Sequence, residues 1–160
     1  MEELTIKETT ITEFYEADHD RLDGLFKGFQ KWKRTDFPRA KEAFVAFKFG
    51  LQRHIVWEEE ILFPLFEEKV GMSFGPTHVM KMEHREIAQH LESIHKKVQA
   101  ANPESDKEEQ NLLSVLKLHN EKEESILYPT MDRVVSEEEK SKVFEEMRNM
   151  PEERYLVCCE

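Results

Sequence analysis

Apolar residues recur along most of the chain every three or four positions, the interval at which side chains share one face of an α-helix. The first such stretch carries Tyr15, His19, Leu22, Phe26 and Phe29 and predicts a helix from about Ile11 to about Lys33, opened by the capping-box spacing of Thr10 and Glu13. In the second, Phe44, Phe47, Leu51, His54, Glu58, Leu62 and Leu65 form one stripe. Asp36 and Pro38 supply its start signals; Pro64 is expected to kink or end it, and Gly71 to stop it. Gly75, Pro76 and Thr77 open a third helix with Met80, His84, Ile87, Leu91, Ile94 and Val98 facing inward. The fourth starts at a second box, Ser105 with Glu108, and bears Leu112, Leu116, His119, Glu123, Leu127 and Val134. A third box, Ser136 with Glu139, heads a short fifth helix carrying Val143, Phe144 and Met147, after which Pro151 is expected to begin an irregular tail.

Four long amphipathic helices with short connections predict an all-α fold, an antiparallel up-down-up-down four-helix bundle with a short C-terminal fifth helix. The 160 residues are expected to form a single domain, its core bundle at about 10–135 and its C-terminal helix and tail at 136–160. Only five Gly and six Pro are present, too few for the many tight turns of an all-β fold.

A formal charge of -11, with Lys and Arg scattered along the chain, disfavours nucleic acid and anionic membranes as partners. The longest apolar stretch, residues 43–51, includes Lys48 and falls far short of the roughly 20 residues a membrane span requires. The acidic start lacks the basic and apolar regions of a secretory signal, so a cytoplasmic location is expected. Cys158 and Cys159 are neighbours and would pair only with strain; they are expected to be inert thiols in the tail.

Within the stripes lies a repeat. His54-Ile-Val-Trp-Glu58-Glu59-Glu60-Ile61-Leu62-Phe63-Pro64 returns 65 positions later as His119-Asn-Glu-Lys-Glu123-Glu124-Ser125-Ile126-Leu127-Tyr128-Pro129. The same offset carries His19 onto His84 and Tyr15 onto Met80. Residues four apart on a helix lie about 6 Å apart along its axis, so each His and Glu of the motif reaches one site. In an up-down bundle the two halves become helix pairs related by an approximate twofold axis, and His19, His54, Glu58, His84, His119 and Glu123 converge.

Buried carboxylates without partners cost several kcal/mol or take up protons, whereas a pair of cations accepts all the lone pairs at once. Imidazole with carboxylate suits iron, manganese or zinc; calcium would call for oxygen ligands throughout. The symmetric arrangement gives His19 and His54 to one ion and His84 and His119 to the other, with Glu58 and Glu123 bridging. A bridging oxide or hydroxide would still leave a coordination position open for a small molecule.

The order of a lone His, His-x-x-x-Glu, a lone His and His-x-x-x-Glu resembles the hemerythrin-like family of HHE cation-binding domains over most of the chain. The resemblance implies a non-haem di-iron centre held by those six residues, with two irons and a bridging oxide or hydroxide. The oxygen carriers of that family have His-x-x-x-His on their third helix, where this chain has Met80 before His84, and they end on His-x-x-x-x-Asp rather than His119-x-x-x-Glu123. The ligand set therefore resembles the branch associated with iron or oxygen sensing, nitric oxide and repair of iron centres. Tyr15 and Met80 are expected to line equivalent pockets beside the metals.

The leading expectation is a protein that binds or senses dioxygen, nitric oxide or peroxide, with a separate signalling or redox partner. A redox or iron-repair enzyme and a bundle merely braced by ions are the alternatives. Asp18, Glu59, Glu83 and Glu124 adjoin the expected ligands in sequence and have two readings, solvated charge or support for a ligand. His78, His90 and His95 are expected to pack or to face solvent.

Overall fold

The computed structural model describes residues 6, 9–71 and 75–156; Cys158 and Cys159 lie outside them. Helix α1 spans Ile11–Trp32, its N-terminus capped by the Thr10 hydroxyl, which accepts from the Glu13 amide at 3.0 Å. Asp132, distant in sequence, adds its own carboxylate there, accepting from the Ile11 and Thr12 amides at 2.8 and 3.0 Å. A negative group at these free amides is favoured by the helix dipole, and it pins the start of α1 to the far end of the chain.

Helix α2 (Phe37–Trp57) passes without interruption through a π-helical turn at Glu58–Leu62 into α3 (Phe63–Val70), which ends at Gly71 in the left-handed conformation. Helix α4 (Pro76–Gln99) leads to α5 (Asp106–Lys122), a second π turn at Glu123–Leu127 and α6 (Tyr128–Val134). Helix α7 (Glu137–Asn149) opens on a complete capping box between Ser136 and Glu139. Consecutive long helices pack as antiparallel pairs, α1 with α2 and α4 with α5, and α6 returns against α1. The described residues contain no strand.

Pro64 neither ends nor breaks its helix. Proline clashes with the carbonyl four residues back and donates no hydrogen bond. Here the widened turn before it accommodates the ring, and the Phe63 amide reaches back five residues to the Glu58 carbonyl. Pro129 repeats the device, with the Tyr128 amide bonded to the Glu123 carbonyl. Each π turn also shifts the helical phase, so the buried stripe continues through Phe63 and Phe66 with Leu65 only partly buried. In the second half it runs through Tyr128 and Met131, leaving Val134 36% exposed.

Two other expectations change. Ser105 does not cap α5 with its side chain; its hydroxyl donates to Glu109 at 2.6 Å instead. Glu109 in turn binds Lys33, and both are almost fully buried, at 2% and 3% exposure. Beyond Pro151 the chain forms a 3-10 turn, Glu152–Tyr155, because the Trp57 indole donates to the Tyr155 hydroxyl at 2.8 Å and draws that ring into the core.

The core has two apolar clusters. One gathers Tyr15, Trp57, Phe63, Tyr128, Phe144 and Met147 among others; the second gathers Phe26, Phe29, Phe44, Phe47, Leu91 and Leu112. On each long helix the His and Glu positions fall between these clusters: His19 between Tyr15 and Leu22, His54 between Leu51 and Trp57, His84 between Met80 and Ile87. A polar layer thus lies between two apolar clusters inside the bundle.

Candidate metal centre

The helical register of each half determines what enters this layer. His19 and His84 come from the middles of α1 and α4, whereas His54 and His119 sit one turn before the π turns that begin at Glu58 and Glu123. All six side chains are buried, and both carboxylates have no exposure at all. His84 Nε2 lies 3.2 Å from Glu58 Oε1, and His119 Nε2 lies 3.2 Å from Glu123 Oε1. Across the layer His19 Nε2 is 3.1 Å from His54 Nε2 and 3.3 Å from Glu123 Oε1. Two overlapping groups result, Glu58 with His84, His119 and Glu123, and His19 with His54 and Glu123. Glu123 belongs to both.

The outward ring nitrogens have partners of one kind. His54 Nδ1 donates to Asp18 at 2.8 Å, His84 Nδ1 to Glu59 at 2.7 Å and His119 Nδ1 to Glu83 at 3.0 Å. His19 Nδ1 faces Glu124 at the longer distance of 3.6 Å. Carboxylates accept without donating, so these contacts hold the proton on Nδ1 and turn the Nε2 lone pair inward. Asp18 and Glu83 serve the histidine of the neighbouring helix rather than the one beside them in sequence. Of the two readings left open for these acids, the contacts select support of a ring for Asp18, Glu59 and Glu83, whereas Glu124 stands too far from His19 Nδ1 for a hydrogen bond.

Charge in the layer is finely divided. Burial and the adjacent Glu123 raise the pKa of Glu58. For Glu123 the same burial is outweighed by hydrogen bonds from Glu58, His119 and His19, which hold it well below the usual carboxylate range. Burial also opposes charge on His84, but its contacts with Glu58 and Glu59 push it up to about 10. His19 and His119 are raised in the same way, each chiefly by Glu123 against the cost of burial. Without a cation, protons must supply the positive charge.

Tyr128 is the residue whose role the sequence reading missed. Its hydroxyl lies inside the layer and donates to Glu58 Oε2 at 2.7 Å and towards Glu123 Oε1 at 3.0 Å, with His54 Nε2 at 3.2 Å and His19 Nε2 at 3.4 Å. Burial and the two carboxylates raise its pKa well above that of a free phenol, so the proton stays on oxygen. The signal was present in the repeat: Phe63 occupies the equivalent position and stacks flat on His84, 5.7 Å between centroids. One added hydroxyl therefore makes the two halves chemically unequal.

Tyr15 packs its ring edge-on against His54 and its hydroxyl donates to Met147 Sδ at 3.5 Å, so that hydroxyl is directed away from the layer. Met80 is buried in the apolar cluster on the same side. His95 stacks on Phe44, and His90 lies within 3.6 Å of Glu86 on its own helix.

The donors present fit a cation. Glu58 Oε1, Glu123 Oε2 and His84 Nε2 are buried and have no hydrogen-bond partner among the described residues, because His84 Nε2 and Glu58 Oε1 approach without the required alignment. Inward polar atoms left unsatisfied in an apolar shell are costly for a protein alone and suit metal coordination. A cavity of about 400 Å³ reaches this layer, bounded there by His19, His54, Glu58, His119 and Glu123.

Residues 10–131 match the family described as the hemerythrin HHE cation binding domain. No curated protein and no solved structure gives a significant match.

Proposed function

Since this chain belongs to the hemerythrin family of HHE cation-binding domains, we propose that it holds two iron ions, bridged by oxide or hydroxide, and binds or senses dioxygen, nitric oxide or peroxide at that pair. The observation carrying this reading is the convergence of six buried donors in two overlapping groups, three of whose inward atoms, Glu58 Oε1, Glu123 Oε2 and His84 Nε2, have no hydrogen-bond partner among the described residues. Manganese and zinc suit the same donors, and the proposal selects iron for its redox chemistry with these ligands. When bound, the pair supplies a Lewis-acidic, redox-active position for a small oxygen- or nitrogen-centred ligand.

The chain contributes the rest. Glu58, His84, His119 and Glu123 would hold one ion; His19, His54 and the shared Glu123 would hold the other. Asp18, Glu59 and Glu83 fix the tautomer and orientation of their rings. Tyr128 places one neutral O–H near His19 and His54; its proton goes to Glu58 in this structure and would turn to a bound ligand that accepts hydrogen bonds. Apolar clusters flank the layer on either side and leave the cavity as its approach.

Anaerobic protein loaded with iron, titrated with nitric oxide and separately exposed to air, tests the proposal. The expected result is a saturable change in the optical spectrum whose amplitude matches the iron content. Sustained consumption of the ligand with an added electron donor would replace the binding role with an enzymatic one. No spectral response from a fully loaded protein would leave only an ion-braced bundle.

A further inference from the structure

The cavity beside the centre is much larger than a diatomic ligand needs. At about 400 Å³ it falls in the range of small-molecule sites, whereas a single water takes up only about 30 Å³ of liquid volume. Its walls have two characters. The inner end is the His and Glu layer; the stretch between it and the charged mouth is apolar, lined by Leu22, Phe26, Phe47, Ile87, Leu113 and Leu116. Four of these are core residues that turn a face onto the open space, while Leu113 and Leu116 are only partly buried.

Exposed lining residues, Asp23 on α1 with Lys117 and Glu121 on α5, place the mouth on the seam between those two helices. The mouth carries more acid than base. Asp23 pairs with Lys27 at 2.8 Å, and Glu124, which faces His19, lies a turn further in. Lys117 at this rim is exposed and holds an anionic head only weakly in water, whereas the ions at the inner end would hold it strongly. The apolar walls offer nothing to a polar body and suit a hydrocarbon one.

We infer that this cavity takes a small amphipathic organic molecule, its single oxygen-donor head directed at the metal pair and its apolar chain or ring lying along Phe26, Phe47 and Leu116. The inference rests on the metal reading above and names the substrate class of the same site. It predicts that affinity grows with the apolar length of a ligand whose head is held constant.

Octanoate and acetate share one head and differ only in apolar length, so they make the test. Each is titrated by calorimetry into the full chain carrying a measured amount of iron, and octanoate is repeated with Leu113→Trp, which fills the apolar arm from its half-buried rim without touching a proposed ligand. Octanoate should bind at least a hundredfold more tightly than acetate, and Leu113→Trp should weaken it at least tenfold while retaining the wild-type iron content and thermal melt. Equal affinity for the two acids in iron-loaded protein overturns the inference and leaves the metal reading intact. Tight octanoate binding that Leu113→Trp does not change places the ligand elsewhere and overturns it too. A chain that holds no metal under these conditions overturns the metal reading, and the inference with it.

Discussion

Replacing Glu58 with Gln separates what the ion requires from what the fold requires. Glu58 is completely buried, and burial together with the Glu123 charge raises its pKa. That shift moves Glu58 towards its neutral form in metal-free protein, a form that an amide imitates in shape and in its ability to donate to Glu123. Metal-free stability should change by no more than about 1 kcal/mol. The loaded protein is another matter, because Glu58 is one of only four side chains in its group. Loss of an outer partner of a metal ligand costs about 10- to 100-fold in affinity. Removing the charge of an inner carboxylate should cost at least about 100-fold, or about 2.7 kcal/mol of metal-linked stability. In a chain of this size that reduces the rise in Tm on metal binding by about 5–11 °C. Thermal melts of wild type and Glu58→Gln, each with chelator and each with matched anaerobic iron, measure both quantities. A metal-free loss of about 3 kcal/mol or more would refute the reasoning, since it would mean that the contact with His84 holds the bundle by itself. An unchanged metal-induced rise in Tm would refute it equally.

Tyr128→Phe should leave iron content intact but speed dissociation of a bound ligand about tenfold, the worth of one hydrogen bond of about 1.4 kcal/mol, as read by stopped-flow displacement. For pH, His84 has its pKa raised from 6.5 to about 10 in the metal-free fold. Its contribution to metal-free stability is full below about 6.5 and is lost as pH rises through about 10, while metal binding must displace that proton. Iron-induced stabilisation should therefore widen from pH 6.5 towards 9, and a gap that narrows would contradict the assignment. Far from the centre, Lys33→Met removes the counter-charge of the buried Glu109 and leaves it the neutral donors Ser105 and Gln30, which should cost about 3 kcal/mol in urea unfolding; adding Glu109→Met should recover most of it. A single-variant loss under about 1 kcal/mol would show that the pair is solvated.

The bundle was legible because its apolar positions keep helical spacing and its caps carry their own signals, as at Thr10 and at Ser136 with Glu139. The six converging residues were legible because they repeat at one offset on inward stripes. What stayed hidden depends on backbone geometry that periodicity does not encode. A π turn preserves the His54 to Glu58 interval yet shifts the residues after it, which is why Leu65 and Val134 were placed on the buried face and Tyr128 was not followed into the centre. Tail residue Tyr155 was missed for a different reason: its partners, Trp57 by hydrogen bond and Phe49 by an edge-on ring contact, are about a hundred residues away in sequence. The outer acids were ambiguous because a carboxylate beside a histidine in sequence points about 100° away from it, and its partner, as with Asp18 and His54, lies on another helix.

The central claim is that the buried His and Glu layer exists to hold a metal pair, and elemental analysis of anaerobically prepared protein tests it most directly. The account predicts about two irons per chain, falling to about one or none in Glu123→Ala, since Glu123 belongs to both donor groups. A folded wild-type chain that contains no metal, or that retains its full metal content in Glu123→Ala, would contradict it.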